Sequence, residues 1–362
     1  MRVKMVDVAR YLGVSKATVS LAVNNKPGVN EQTRQKILNC IAEMEKAEDA
    51  VSMMRAAGQA EFPERNLMQR QPESERNGYE AEEKKMIKVV IINHQKQVVC
   101  DPELDLWSEV LKTFDAEARR LGYLYGLAYM NDEKEEVKEL IQECNLDIVA
   151  GVLVFGTEIT KEDFKKVEEI KKPIVLYDCE APSGEYTSVC IDNKGAVKQA
   201  LELLWDAGAR DIRYICTDKD IYNFRKRREA FQDILIKWEH MPKKSDIVAL
   251  GSTISEISKK AQEWLETEKL PEAFLFENYQ VAIGMLAALR KMGVHVPQDV
   301  KLIGIDEVPE YMTSGIALTQ LKIPHAQRAT MAMELLHKEI LGSWDTKIKL
   351  FAEAKLITQN SI

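Results

Sequence analysis

Residues 5–29, MVDVARYLGVSKATVSLAVNNKPGV, describe two short helices about a glycine turn. Asp7 to Leu12 carries Val8, Ala9 and Leu12 at helical spacing, and Gly13 breaks that helix. Ser15 is placed to cap a second helix reaching about Val23. The small Ala9 lets the two helices cross closely, with Val14 and Val19 filling the seam. This is the pattern of a helix-turn-helix, whose second helix enters the DNA major groove and offers its first residues to base edges. Lys16, Ala17 and Ser20 fall on the face opposite Val19. Thr18 and Ser20 can donate to phosphates, which sets position, whereas Lys16 and Ala17 can meet base edges. The same spacing also suits a helical hairpin that merely packs. Asn30 reads as the cap of a third helix, with Ile37, Ile41 and Met44 as its inward stripe.

Charge is distributed unevenly. The chain carries −8 overall, but residues 1–46 hold eight Lys or Arg against four acids, a net of +4 that leaves −12 on the remainder. A basic head on an acidic body confines attraction for phosphate to one end. At 362 residues and 45% hydrophobic content the chain exceeds one ordinary core, so two or three folding units are expected. No apolar run is long enough to span a bilayer, and no signal-peptide stretch opens the sequence, so no membrane partner and a cytoplasmic location are expected. The six cysteines, at positions 40, 100, 144, 179, 190 and 216, form no CxxC pair and have no matching His cluster. They read as buried thiols, with no metal and no cofactor expected.

Residues 57–86 are rich in Gln, Glu, Arg and Asn, contain two prolines and lack apolar periodicity, which reads as a linker. Beyond them strands and helices alternate. Strands are expected at 88–93, 123–129, 150–156, 173–178 and 188–192, then at 211–216, 246–250, 273–277 and 301–305. Helices include 107–121, 133–144 and 193–207, the last stopped by Gly208. Such alternation means parallel sheets covered on both faces. The fold class is therefore α/β, a small all-α helix-turn-helix head followed by two Rossmann-like lobes of parallel sheet that meet in a cleft. Enzyme signatures are missing: no GxGxxG follows a strand, and there is no HExxH or GxSxG. Gly151 to Thr157 has the G-x4-G-T spacing of a phosphate loop without its Lys. The chain is not expected to be an enzyme.

The string V-S-K-A-T-V-S, then Asn24, a Lys-Pro-Gly loop and N-E-Q-T-R, resembles the DNA-binding domain of the lac repressor (LacI) family over residues 5–44. The body resembles the same family, and with it the periplasmic sugar-binding proteins, at CIDNKGAVKQALELLWDAGARDIRYI (190–215), NFRKRREAFQDIL (223–235), 277–310 and ALTQLKIP (317–324). The resemblance implies a transcriptional regulator, expected to repress. It would read a pseudo-palindromic double-stranded DNA operator as a homodimer and be controlled by a small-molecule effector, a sugar or related polar metabolite. It implies DNA contacts at Lys16, Ala17, Thr18, Ser20, Asn24, Thr33 and Arg34. The family pattern R-x-x-G-F lands on Arg227, N-D-x-x-A-x-G on Asn278, Ala282 and Gly284, and G-x-D on Gly304 and Asp306; Asp178 matches the family's V-D. Arg227, Asp306, Asn278 and Asp178, with Asn93 after the first strand, are the implied effector contacts. Tyr222 is a weaker candidate for stacking on a ring. The implied domains are 1–46 for the head, 47–86 for hinge and linker, and 87–362 for the effector-binding body. That body divides into lobes of 87–189 plus 320–343 and 190–319 plus 344–362, with chain crossings near 190–193, 317–322 and 344–348.

The chain departs from the family at four places. The hinge that family members write Tyr-x-Pro-Asn and Ala-Arg-x-Leu reads Lys46-Ala47-Glu48-Asp49 and Ser52-Met53-Met54-Arg55 here. Arg55 stands at the position of the minor-groove wedge, so the hinge is expected either not to fold on DNA or to use Met53 or Met54 as a weaker wedge. Leu21 stands where many relatives place an Arg, and Tyr279 where Asp is usual. The loop after the first strand reads NHQKQVVCDPELDLW (93–107) instead of Asn-Pro-Phe-Phe, which puts Asn93, His94 and Gln95 in question as cleft residues. A second reading, a ligand-binding sensor with impaired DNA binding that acts through protein partners, draws its support from the altered hinge.

Overall fold

A computed structural model describes residues 16–23, 33–35, 37–38, 84–94 and 106–362. The chain divides into two units, Met1–Tyr79 and Glu80–Ile362. In the first unit, α1 (Lys16–Val23) buries Val19 and Ala22, and residues 33–35 and 37–38 are helical with Ile37 buried. The expected first helix, the Asn30 cap, Ile41 and Met44, the hinge and the linker up to residue 83 lie outside the described residues, while Met86, expected at the linker's end, begins the first strand.

The second unit is built on two six-stranded sheets of matching order. The first runs β11-β5-β4-β3-β1-β2, made of β1 (Met86–Ile92), β2 (Leu124–Met130), β3 (Val149–Phe155), β4 (Ile174–Tyr177), β5 (Thr187–Ile191) and β11 (Lys349–Ala352). The second runs β12-β10-β9-β8-β6-β7. It consists of β6 (Ile212–Cys216), β7 (Ile247–Ala249), β8 (Ala273–Phe276), β9 (Lys301–Ile305), β10 (Thr319–Lys322) and β12 (Lys355–Ile357). All pairings are parallel except β10 with β12. Continuous apolar runs such as VAGVLVF in β3 and AFLF in β8 are buried on both faces, as central parallel strands require.

Helices cover each face. In the first lobe α2 (Leu106–Arg120) and α9 (His325–Ile340) pack on the face of Ile87, Val89 and Ile91. The opposite face, with Val90 and Ile92, takes α3 (Lys134–Cys144) and α4 (Lys161–Val167). In the second lobe α5 (Asn193–Asp206) and α6 (Tyr222–Lys237) cover one face, and α7 (Ile254–Thr267) and α8 (Tyr279–Lys291) the other. Each lobe therefore has two apolar layers. Asp192 caps α5 by accepting from Gly195 N at 2.8 Å, and the chain turns out of that helix at Gly208, where φ is +88°. Among the described residues no helix is long and apolar enough to cross a membrane.

The nine strands expected from the sequence are all present, and β10, β11 and β12 are additional. They move the lobe boundaries. The first passage from one sheet to the other lies between Ile191 and Asn193. The second follows β10, between Lys322 and His325, because β10 pairs with β9 and places 319–322 in the second sheet. The third corrects the expectation of 344–348: β11 extends the first sheet beside β5, so the chain crosses between Ala352 and Lys355. Strands of three or four residues have too little alternation to announce themselves, and an edge strand joins whichever sheet leaves an edge open.

Candidate functional site: a cleft between the lobes

The loops at the carboxyl ends of both sheets line a cleft between the two lobes. Trp107, Phe224 and Tyr279 form much of its apolar wall. Asp178 and Asp306 enter it by equivalent routes. Each directly follows the third strand of its sheet, β4 or β9, and each has positive φ, 68° and 75°. Asp tolerates this left-handed conformation better than most residues, and here it turns both carboxylates toward the cleft.

Arg227 lies on α6 with its side chain only 2% exposed. Its Nε donates to Asn193 Oδ1 at 2.9 Å and its Nη1 to the main-chain carbonyl of Glu277 at 2.6 Å. Nη1 and Nη2 also reach the two carboxylate oxygens of Asp306 at 3.4 and 3.2 Å. Burial works against this cation, but the Asp306 charge overrides it and keeps the guanidinium's pKa above its usual value.

Asp178 is as fully engaged. It accepts from Thr157 Oγ1 at 2.6 Å, from Asn223 Nδ2 at 2.8 Å and from Arg328 Nη2 at 2.5 Å. Arg328, on the first turn of α9, also lies over the Tyr177 ring at 4.7 Å. Asn193 Nδ2 donates to Asn223 Oδ1 at 2.7 Å. The result is one continuous polar chain, Arg328–Asp178–Asn223–Asn193–Arg227–Asp306, that passes from the first lobe to the second.

Several polar atoms here have no partner among the described residues: Gln280 Oε1 and His325 Nδ1, whose side chains line the cleft, and Nε and Nη1 of the buried Arg328. Burial, followed by the charge of Arg328, pushes the His325 pKa down to about 4, so this imidazole is neutral at pH 7. A site with unpaired donors and unpaired acceptors suits groups that both give and take hydrogen bonds.

Four expected effector residues, Arg227, Asp306, Asn278 and Asp178, thus come together in one cleft. Asn278 additionally caps α8, accepting from Val281 N at 3.0 Å. Asn93 does not line the cleft; its Nδ2 donates to Asn131 at 3.3 Å. His94 bridges Asp132 (2.5 Å) and Asp163 (2.7 Å), and Gln95 lies outside the described residues. Tyr222 does not line it either, its hydroxyl donating to Glu180 at 2.5 Å. Sequence reasoning missed Trp107, Asn193, Asn223, Gln280, His325 and Arg328. The only available signal was their position just after strands or in first helical turns, which many structural residues share.

In the head, Lys16 and Ala17 open α1, and Thr18 and Ser20 are half-buried on it. Arg34 donates from Nη1 to the Ala22 carbonyl at 3.2 Å, so it ties the following helical stretch to the end of α1. Thr33 is half-buried beside it, and Asn24 lies outside the described residues.

A two-lobed cleft of this topology behind a helix-turn-helix head defines a class, the DNA-binding regulators built on a periplasmic-binding-protein-like body. Residues 4–45 match the family described as bacterial regulatory proteins, lacI family, and residues 201–362 match the periplasmic binding protein-like domain. Catabolite control protein A of Priestia megaterium is 26% identical over 341 residues, spanning 93% of this chain and 92% of its own. The transcriptional repressor CytR of Escherichia coli is 24% identical over 360 residues, spanning 99% and 95%. Among solved structures, the CelR–cellobiose complex superposes with a TM-score of 0.65 at 18% identity, covering 99% of this chain and 100% of that one. The lac repressor dimer bound to operator and an anti-inducer gives 0.64 at 18% identity, covering 100% and 99%. The head thus matches the lacI family and the body the periplasmic binding protein-like domain, and regulators with both parts align over nearly the whole chain. The chain is a DNA-binding transcriptional regulator, as these relatives are, and not an enzyme. The reading as a sensor that acts only through protein partners is not favoured.

Proposed function

We propose that this regulator is a cytoplasmic homodimeric repressor that binds a pseudo-palindromic operator and responds to an uncharged, hydroxyl-rich small molecule, a sugar or a close analogue, held between its lobes. The observation that carries the effector class is the charge balance of the cleft. Each guanidinium is already matched to a carboxylate, Arg227 to Asp306 and Arg328 to Asp178, and His325 is neutral. An anionic ligand would find no uncompensated cation and would lie beside two carboxylates. Hydroxyl groups, in contrast, can donate to Gln280 Oε1, while a pyranose face can lie on an aromatic wall. The solved CelR relative holds cellobiose, which is consistent with this choice.

Arg227, Asp306, Asn278 and Asp178 are the proposed effector contacts, Asn193 and Asn223 their supports, and Lys16, Ala17, Thr18 and Ser20 the proposed operator contacts. The proposed domain limits are 1–46 for the head, 47–86 for hinge and linker and 87–362 for the two-lobed body. Effector binding that changes lobe closure changes DNA affinity, and DNA changes effector affinity by the same factor.

The test is selection of random duplexes by the purified chain, followed by anisotropy on the winner at two salt concentrations, with and without neutral sugars. The expected result is an enriched pseudo-palindrome, bound far more tightly than scrambled DNA and shifted by a neutral sugar. Salt-sensitive binding with no enriched sequence would overturn the operator reading. A shift produced by sugar phosphates or sugar acids alone would overturn the effector class.

A further inference from the structure

The side chains of Glu277 and Arg228 do not line the cleft, yet they form an ion pair directly beneath it. Glu277 directly follows β8 and is 0% exposed. Its carboxylate accepts from Arg228 Nε at 2.7 Å and Nη2 at 2.9 Å, from Thr217 N and Oγ1 at 3.1 Å each, and from Tyr214 Oη at 3.3 Å. Arg228 Nη2 also donates to the carbonyls of Thr217 at 2.7 Å and Lys219 at 3.1 Å. Glu277 N donates to Ile215 O at 2.9 Å.

These bonds fix one peptide that matters to the cleft. The Glu277 carbonyl is the acceptor of Arg227 Nη1 at 2.6 Å, and the next residue is Asn278, which both lines the cleft and caps α8. Arg227 and Arg228 are neighbours on α6, so their side chains diverge by about 100° around the helix. One points into the cleft and the other into the pair beneath it. The arrangement also balances charge, since two adjacent cations meet two separate carboxylates, Asp306 and Glu277. Burial raises the Glu277 carboxyl against the opposing pull of Arg228 and Thr217, so an apolar residue of similar size would sit here at lower cost unless the position serves the site.

We infer that Glu277, gripped by Arg228, is a positioning residue of the effector cleft, setting the geometry of the Arg227 guanidinium and of Asn278 through its own main chain. The inference rests on the reading of the cleft as the effector site, but its test reads Arg227 directly and needs no ligand. In the full-length chain, the Nε–Hε resonance of Arg227 is followed by 15N NMR, assigned by its disappearance in Arg227→Lys. In the wild type this proton, bound to Asn193, is protected from solvent exchange. In Arg228→Met its exchange accelerates by about tenfold or more while the protein remains folded, and the intermediate variants Arg228→Lys and Glu277→Gln show smaller changes of the same sign.

The control is Arg213→Met, which removes a partner of Asp246 in the same lobe and lowers stability away from the cleft. It leaves Arg227 exchange unchanged. Protection equal to wild type in Arg228→Met, or equal loss in Arg213→Met, would overturn the inference. Should Arg228→Met fail to fold, Glu277→Gln and Arg228→Lys decide alone: unchanged Arg227 exchange in both would overturn it. Failure of every sugar to bind would bear on the effector reading and leave this measurement standing.

Discussion

Asn223 and Asp178 belong to different lobes, and the Asn223 amide donates to the Asp178 carboxylate at 2.8 Å. Between them they turn two separate Arg–Asp pairs into one chain of bonds, so the carboxylate that the family pattern assigns to effector is also the place where the lobes are joined. An effector hydroxyl that approaches Asp178 must therefore share it with Thr157, Asn223 and Arg328.

Removing that carboxylate strands a charge. Arg328 has no exposed side-chain surface, and among the described residues Asp178 supplies its only ion pair. Asp178→Ala is expected to destabilise the chain by about 3–5 kcal/mol, and Asp178→Asn by less, because the amide still accepts a hydrogen bond. Urea unfolding measures both. A loss near that of an ordinary surface substitution, about 0.5 kcal/mol, would contradict the burial of this pair.

Asp306→Asn acts in the opposite sense on ligand charge. It releases Arg227 from its carboxylate and leaves one uncompensated guanidinium in the cleft. The variant is expected to gain a rise in melting temperature from millimolar sulfate that the wild type lacks at matched ionic strength. Equal responses of the two proteins would show that Asp306 does not neutralise the site.

His94 predicts a dependence on pH. Burial alone would lower its pKa, but the hydrogen bonds and charges of Asp163 and Asp132 outweigh it and raise the value above 6.5. Asp163 also accepts from Thr160 N and Oγ1 and from Lys166 Nζ at 2.9 Å, so its own carboxyl stays below the usual range. A raised histidine contributes its full stabilisation below the unfolded value and loses it as pH rises through the folded one. Stability should therefore decline upward from about pH 6.5, and His94→Gln should flatten that decline. Thermal melts across pH 6 to 9 decide it, and identical slopes in the two proteins would remove His94 as the cause.

Gly284, within the family pattern that includes Asn278, lets α8 approach α7. An added Cβ would sit 2.5 Å from Ile257 Cγ2 and 3.2 Å from the Ile254 carbonyl. In an exposed helix Gly→Ala gains about 1 kcal/mol, but here the clash is expected to reverse the sign and cost about 1–3 kcal/mol. A variant more stable than wild type would show that α7 yields easily.

At the operator, Lys16→Ala is expected to cost about 1–3 kcal/mol at one base position and to relax specificity there. Binding of single-substituted duplexes measures this. A uniform loss across all sequences would make Lys16 a phosphate contact instead.

The sequence by itself determined the alternation of strands and helices, because parallel strands buried on both faces are continuous apolar runs that no other element needs. It also placed Arg227, Asn278, Asp306 and Asp178, since each follows a strand or sits at a fixed place in a family pattern. Tertiary structure alone decided which sheet receives β10, β11 and β12. These strands are too short to carry a period, and hydrogen-bonding edges, not side chains, choose their sheet. It alone decided that Asn93 turns to Asn131 and Tyr222 to Glu180 instead of the cleft. It alone separated the adjacent Arg227 and Arg228 of a charged RKRR run into one cleft residue and one partner of a buried glutamate. Local sequence records which side chains carry charge; which of them meet follows from residues 49 and 50 positions away, brought together by the packing of the sheet and its helices.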